Sequence, residues 1–124
     1  MKLIKISELK PIEGHSKKRV NWLKNKIIKE QIWTKPICIE QKYNIVLDGM
    51  HRFEVAKLLK MKYIPCELFD YNDVKVWSLR SNHIITASIV IEKIKQGYIY
   101  PFKTVKHDFL SIIKLCNIPL KELL

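Results

Sequence analysis

Residues 46–59 read VLDGMHRFEVAKLL, a stretch that begins with the pattern of a strand and ends with that of a helix. Between the two patterns lie an aspartate, a glycine, a histidine and an arginine, at positions 48, 49, 51 and 52. A strand that turns through glycine into a helix leaves the first N–H groups of the helix unpaired, and such groups bind anions. The stretch therefore predicts a phosphate site at the start of a helix.

Each polar residue of this turn has a chemistry that suits nucleotide phosphates. Gly49 allows a ligand to approach the backbone, and Arg52 offers a charged, bidentate donor. His51 can donate to a phosphate oxygen or move a proton. Asp48 is an acid beside an anion site, where acids commonly hold Mg²⁺ or accept from a hydroxyl. The alternative is an ordinary helix start, with Asp48 as its cap and a surface His–Arg pair.

The patterns on either side of the turn predict a single small α/β domain over residues 1–124. Its core is expected over about residues 3–70, with a helical and loop part over about 71–124. About four helices are predicted from the apolar spacing and the turn residues. The predicted strands cover residues 3–6, 37–39, 45–47, part of 63–69 and part of 74–79; the predicted helices start at Ser16 and after Gly49, and cover Ile85–Gln96 and Phe109–Leu115, with a loop over 97–107 and a frayed end after Pro119.

The composition indicates a basic protein with enough apolar residues for one core. The net charge is +11, which suggests a polyanionic partner, although the lysines are scattered along the chain. The densest basic segment, Lys17 to Lys29, is interpreted first as a solvated helix face and second as a nucleic-acid surface. Trp22 in this segment and Trp33 after it are predicted to pack against other residues.

Other features exclude several classes of protein. The three cysteines are widely spaced and odd in number, which argues against a disulfide framework. They form no CxxC pair, and the four histidines do not pair with them at zinc spacing. The longest apolar run falls far short of a membrane span, and the first residues do not form a signal peptide. A cytoplasmic location without a membrane partner is the expectation, and the oligomeric state is left open.

The order of segments around the turn resembles the ParB/sulfiredoxin fold. The segments that carry the resemblance are Leu9-x-Pro11, a basic helix, Lys35-Pro36-Ile37, residues 45–52, Ala56 and Ile64-Pro65. They cover about residues 3–70, which is more than half of the chain. The resemblance implies an α/β (α+β) fold in which a small mixed sheet packs with helices.

The turn itself separates the branches of this fold. Residues 48–52, DGMHR, resemble the DGHHR turn of free serine kinases and differ from it at Met50. ParB-type partition proteins carry a GERR-like turn, and sulfiredoxins carry a GGCHR-like turn with a reactive cysteine. Met50 occupies the place of that cysteine, which argues against sulfiredoxin activity.

A second stretch strengthens the resemblance to the free serine kinases. Residues 100–107, YPFKTVKH, are similar to the FPPKTTRH stretch of those kinases. The two agree at Pro101, Lys103, Thr104 and His107, and they differ at Phe102, Val105 and Lys106.

The resemblance implies a role for each matching residue. Glu13, in the loop after the first strand, takes the place of the catalytic base, with Asp48 and His51 as the other catalytic residues. Asp48 is also the expected Mg²⁺ ligand. The phosphates of ATP or ADP are expected at Gly49, Met50, His51 and Arg52, and the amino acid is expected at Lys103, Thr104, Lys106 and His107. Trp77 is a further candidate for the amino-acid pocket, with a core residue as the alternative for a tryptophan in a strand-like run.

Two functions follow as expectations. The first is a kinase that phosphorylates the hydroxyl of a free amino acid, L-serine first, to give O-phosphoserine. The alternative is a ParB-like regulator that binds nucleotide and DNA without kinase activity, which the net charge of +11 favours. A specific DNA-binding protein of that type needs a helix-turn-helix domain, for which 124 residues leave no space. DNA binding is therefore expected to be non-specific.

Overall fold

The computed structural model describes residues 1–124 and has an α+β architecture of short strands and three α-helices. The strands are β1 (Lys2–Lys5), β2 (Ile32–Trp33), β3 (Ile37–Glu40), β4 (Ile45–Asp48), β5 (Tyr63–Phe69), β6 (Lys75–Ser78), β7 (Val105–Asp108) and β8 (Ile118–Pro119). The helices are α1 (Lys17–Glu30), α2 (Met50–Leu58) and α3 (Ala87–Lys95). The predicted fold class is confirmed.

The largest sheet is mixed and has the strand order β1-β5-β3-β4. Strands β3 and β5 are parallel, whereas β1 with β5 and β3 with β4 are antiparallel. Strand β4 is buried except at its last residue, Asp48, which is exposed where the chain turns into α2. Two further pairs, β2 with β8 and β6 with β7, are antiparallel.

Helix α1 begins and ends with clear local signals. The Ser16 hydroxyl accepts from the N–H of Arg19, as expected of an N-cap. Val20, Leu23 and Ile27 recur at helical spacing and are buried, so this stripe faces the core. The helix is followed by Gln31, which adopts a left-handed conformation with a φ of 56°.

Two hydrophobic clusters form the interior, and both draw on distant parts of the chain. The larger has 17 buried residues from α1, α2 and the main sheet, and it includes Leu120 and Leu123 near the end of the chain. The smaller has 9 buried residues and joins Ile12 and β4 to the second half of the chain. Residues before and after position 70 therefore contribute to the same interior.

The prediction of a helix over Phe109–Leu115 is wrong, because residues 109–117 have no regular secondary structure. The Asp108 carboxylate accepts from the N–H of Leu110, whose φ of 57° is not helical. Ile112 and Leu115 are 94% and 75% exposed, so the segment has no buried face to stabilise a helix.

The chain end and the loop before it also differ from the predictions. The end is ordered by pairing and burial, because the Leu123 carbonyl accepts from the N–H groups of Lys62 and Tyr63. The predicted loop over 97–107 runs into β7, which pairs with β6. No helix has the length and apolar content that crossing a membrane requires.

Candidate functional site

A cavity of about 720 Å³ opens between α1, the start of α2 and the segment around Lys103. Glu13 and Gly14 lie on its wall, as do residues 47–52 and most of residues 102–107. The fold therefore brings the turn at residues 48–52 together with residues of YPFKTVKH, at 100–107, and with Glu13.

The start of α2 offers unpaired backbone donors to this cavity. The helical hydrogen-bond ladder begins where Phe53 donates to the Gly49 carbonyl, at 2.9 Å. The N–H groups of Met50, His51 and Arg52 precede that bond, and no acidic side chain lies in the first turn. The Met50 side chain is buried, so this residue offers only its backbone. These groups and the helix dipole suit a phosphate.

Gly49 has a structural requirement for glycine that the sequence did not reveal. Its φ of 100° is a left-handed conformation that strains other residues. A Cβ atom built there would lie 2.6 Å from the Ile37 Cγ2 atom in strand β3. Glycine at this position therefore permits the close packing of the turn on the sheet, and it also lies in the cavity wall.

Arg52 lies in the cavity wall with a donor that has no partner. Its Nε atom is buried and makes no hydrogen bond within the protein. Burial lowers the pKa of the guanidinium, while nearby Cys116 and Asp48 act in the opposite direction. An arginine stays charged despite such a shift, so Arg52 supplies an unpaired positive group beside the unpaired N–H groups of α2.

His51 is held in one orientation by the start of α1. Its Nε2 atom accepts a hydrogen bond of 3.1 Å from the backbone N–H of Ser16, which assigns the proton to Nδ1 in the neutral ring. Burial lowers the pKa of His51, and the charges of Arg19 and His15 lower it further. A neutral ring whose Nε2 is occupied suits donation from Nδ1 to a phosphate oxygen better than proton removal.

Glu13 is fixed by the backbone of the opposite wall. Its Oε2 atom accepts from the N–H groups of Thr104 and Val105, at 3.2 and 3.0 Å. Its Oε1 atom makes no hydrogen bond within the protein and so remains free for a ligand. Burial raises the pKa of Glu13 and nearby Asp48 adds to the rise, while the two backbone donors and Arg80 oppose it. The result is an oriented carboxylate of increased basicity.

Asp48 lies in the cavity wall without a hydrogen bond or an ion pair, and its side chain is exposed there. No group of three acidic, histidine or cysteine side chains is arranged to hold a metal ion by itself. Mg²⁺ in nucleotide sites uses one or two carboxylates together with phosphate oxygens and water. The free carboxylate of Asp48, close enough to Glu13 to affect its pKa, fits that donor set.

The segment after Phe102 brings only part of the predicted acceptor site to the cavity. Lys103 and Lys106 are exposed and line it. His107 also lines it but is buried, with its Nε2 atom 2.6 Å from the Tyr71 hydroxyl. Burial lowers the pKa of His107 to about 4, so the ring is neutral at physiological pH.

Two of the predicted acceptor residues lie outside the cavity wall. Thr104 is fully buried, and its hydroxyl donates to the Pro101 carbonyl, at 2.6 Å. Its backbone N–H, rather than its side chain, contacts the site through Glu13. Trp77 lies on β6 and does not line the cavity.

Trp22, predicted to be a packing residue, is instead an exposed residue of the cavity wall. Trp22 is 65% exposed and lines the cavity together with Lys18 and Lys26, one turn before and one turn after it on α1. The Lys26 Nζ atom lies 5.6 Å from the centre of a Trp22 ring. The signal was available, because Trp22 falls off the apolar stripe of Val20, Leu23 and Ile27.

No family model matches the chain, and no curated protein matches it. Among solved structures, it is similar to a free serine kinase in complex with AMP, with a TM-score of 0.88 at 16% identity over 99% of this chain and 93% of that one. It is also similar to a conserved hypothetical protein from Pyrococcus furiosus, with a TM-score of 0.88 at 13% identity over 99% and 97% of the two chains. SbnI with a C-terminal truncation, from Staphylococcus aureus, has a TM-score of 0.87 at 11% identity over 98% and 88%. These likenesses establish the shared fold.

Proposed function

We propose that this chain is a nucleotide-dependent kinase that phosphorylates the hydroxyl of a free amino acid, L-serine first, with ATP or ADP as donor. The observation that carries the proposal is the free Oε1 atom of Glu13, which shares a cavity with the unpaired donors at the start of α2. The fold it shares with a free serine kinase, solved in complexes with AMP and with ADP, supports the same conclusion.

The start of α2 binds the donor's phosphates in this mechanism. The N–H groups of residues 50–52 and the Arg52 guanidinium neutralise and orient the phosphate to be transferred, and His51 donates from Nδ1. Such fixed donors stabilise charge in the transition state without reorganising. Mg²⁺, when bound, neutralises phosphate charge, and Asp48 is the side chain that would hold it.

Glu13 acts as the general base. The acceptor hydroxyl oxygen forms a bond to the terminal phosphorus while the bond from that phosphorus to the leaving oxygen breaks. The hydroxyl proton passes to Oε1 of Glu13, and the nucleotide leaves with one phosphate fewer. The raised pKa of Glu13 suits it to accept this proton near neutral pH. The ammonium groups of Lys103 and Lys106 bind the carboxylate of the amino acid.

The test is direct. The protein is incubated with Mg²⁺, either ATP or ADP, and L-serine, L-threonine or another hydroxy compound, and products are identified by mass spectrometry. We expect O-phosphoserine, together with ADP from ATP or AMP from ADP. Glu13→Gln is the matched control, because an amide keeps an oxygen for the two backbone donors but cannot act as a base; we expect its rate to fall roughly 10²- to 10⁴-fold. The proposal would be overturned if none of the donor and acceptor pairs gave a phosphorylated product.

A further inference from the structure

We propose that Trp22 is the stacking platform for the purine base of the nucleotide, which makes α1 the element that selects the donor. This inference rests on the proposed function only in that it uses the phosphate site at the start of α2. It assigns the base to a cavity residue that was not among the predicted site residues.

The exposure of Trp22 is the first observation. Its neighbour Leu23 is buried in the core, whereas Trp22 is 65% exposed and lines the cavity. An indole left in water at a cavity wall offers a large apolar face at little cost in side-chain entropy, because only two torsion angles must be fixed. A ligand ring that stacks on this face removes the surface of the indole and its own surface from water.

The position of Trp22 along α1 is the second observation. The N–H of Ser16, the N-cap of this helix, bonds to His51 in the first turn of α2. Trp22 lies six residues further on, which at 1.5 Å per residue is about 9 Å along the axis. Glu13 and Lys103 line the same cavity in segments next to Phe102, whose ring also contacts His51. Helix α1 and the segments of Glu13 and Lys103 therefore both reach His51, from different parts of the chain.

The polar groups around Trp22 are the third observation. Lys18, Lys26 and Lys35 line the cavity together with Trp22, and Lys18 and Lys26 flank Trp22 on α1. Lysine only donates hydrogen bonds, so this end of the cavity suits a base edge that carries acceptors. Purines present such acceptors, N7 in both bases and O6 in guanine, and offer a larger ring surface than pyrimidines.

Calorimetry with ADP, UDP and pyrophosphate tests the proposal on the parent protein and on variants. Trp22→Ala should weaken ADP binding roughly tenfold or more, by the usual value of base stacking, and Trp22→Phe should recover part of the loss. Pyrophosphate has no base, so its affinity should be equal in all variants. Ile28→Ala is the matched control, because Ile28 is an exposed apolar residue of α1 outside the cavity.

Each contrary outcome has a distinct meaning. Unchanged ADP affinity in Trp22→Ala would overturn the proposal, and so would equal losses for ADP and pyrophosphate, which would indicate an effect on the phosphate site. UDP binding as tightly as ADP would overturn the purine assignment. If the parent protein bound neither pyrophosphate nor ADP, the start of α2 would not be a phosphate site, and the proposed function would be contradicted as well. If Trp22→Ala weakened the binding of a single-stranded oligonucleotide but not that of ADP, the ligand of Trp22 would be nucleic acid instead of a mononucleotide.

Discussion

The Glu13 carboxylate experiences two opposing influences at the scale of the single residue. Burial makes its charge costly, while the N–H groups of Thr104 and Val105 stabilise that charge and fix its direction. The balance raises the pKa, so the folded protein holds the proton of Glu13 more tightly than the unfolded chain does. A group of this kind is expected where basicity matters more than stability.

This balance has a consequence for stability. As the pH rises from the ordinary pKa of a glutamate through the raised value, ionisation of Glu13 costs the folded state free energy, and above that interval the cost is constant. We therefore expect Glu13→Gln to be more stable than the parent protein at pH 7, with a difference that disappears at acidic pH. Urea unfolding at several pH values measures it. If Glu13→Gln were less stable than the parent protein at pH 7, the assigned rise in the pKa of Glu13 would be contradicted.

The pH dependence of the rate should follow the same residue. Protonated Glu13 cannot accept the hydroxyl proton, so kcat/KM should fall as the pH drops through the raised pKa. The acidic limb should therefore lie above the ordinary range of a glutamate. Steady-state kinetics between about pH 4 and pH 9 locate this limb. A limb at or below the ordinary value would assign the titration to another group.

Gly49 has a structural role beside the predicted approach of a ligand. Its missing side chain makes space for Ile37 of β3. We expect Gly49→Ala to lower the free energy of unfolding by roughly 2–5 kcal/mol, from left-handed strain and overpacking together. Denaturant unfolding measures the loss. Gly14→Ala is the matched control, because its added Cβ would make only an ordinary contact with Phe102.

At the scale of the element, the start of α2 combines positive and negative groups with separate tasks. Arg52 and the unpaired N–H groups attract phosphate directly, whereas Asp48 acts through a metal ion in the proposed function. Substitutions at these two positions should therefore differ in their dependence on Mg²⁺.

We expect Arg52→Ala to weaken nucleotide binding with or without Mg²⁺, by roughly tenfold or more for a charged hydrogen bond. Asp48→Asn should weaken binding only when Mg²⁺ is present. Calorimetry of both variants with ADP, with Mg²⁺ and with a chelator, separates the two. Parent-like binding by Arg52→Ala in both conditions would place the phosphates elsewhere.

The elements that could be predicted from the sequence are those with strong local signals. The Ser16 cap with its apolar stripe, the strand that turns through Gly49 and the helix before Gly97 were all identified. The prediction of a helix over 109–115 was wrong because Phe109 packs against the smaller cluster while Leu110, Ile112 and Leu115 are exposed, so helical spacing alone gave no buried face. Strands β2 and β8 were missed because each has two residues and exists only through their pairing.

At the scale of the whole molecule, the chain end closes the larger hydrophobic cluster. Leu123 is fully buried in that cluster and its carbonyl bonds to the start of β5, whereas Leu124 is 57% exposed. We expect Leu123→Ala to cost about 2–5 kcal/mol of unfolding free energy, and Leu124→Ala to stay within about 0.5 kcal/mol of the parent protein. Thermal or denaturant unfolding compares them. Equal effects would show that the end of the chain does not stabilise the fold.

The net charge of +11 is also a property of the whole molecule. We expect DNA to bind weakly and without sequence preference, with an affinity that falls steeply as salt is raised, because contacts to phosphate carry no sequence information. Binding to two unrelated duplexes over a range of salt concentrations measures this. A complex with one sequence that persists at physiological salt would favour the ParB-like regulator.

The candidate site was predicted less from local patterns than from the resemblance to free serine kinases. The turn at residues 48–52 indicated phosphate by its own chemistry, but nothing local distinguished Glu13 from an ordinary loop acid. Its partners, Thr104 and Val105, lie some 90 positions away in the chain and meet it only in the folded protein. Thr104 is buried away from the cavity, whereas Trp77 is exposed on β6 and does not line it, and neither placement could be read from the local sequence.

The attachment of Glu13 to residues 104 and 105 through backbone N–H groups bears on how such a site can diversify. Every amino acid except proline supplies that donor, so the side chains of this segment can change over generations without releasing the base. Lys103 and Lys106 are exposed and make no hydrogen bond or ion pair that holds Glu13, so they are free to vary with the acceptor. Under the proposed function, a lineage with this architecture can acquire a new acceptor by exchanging side chains while it inherits the Glu13 carboxylate unchanged.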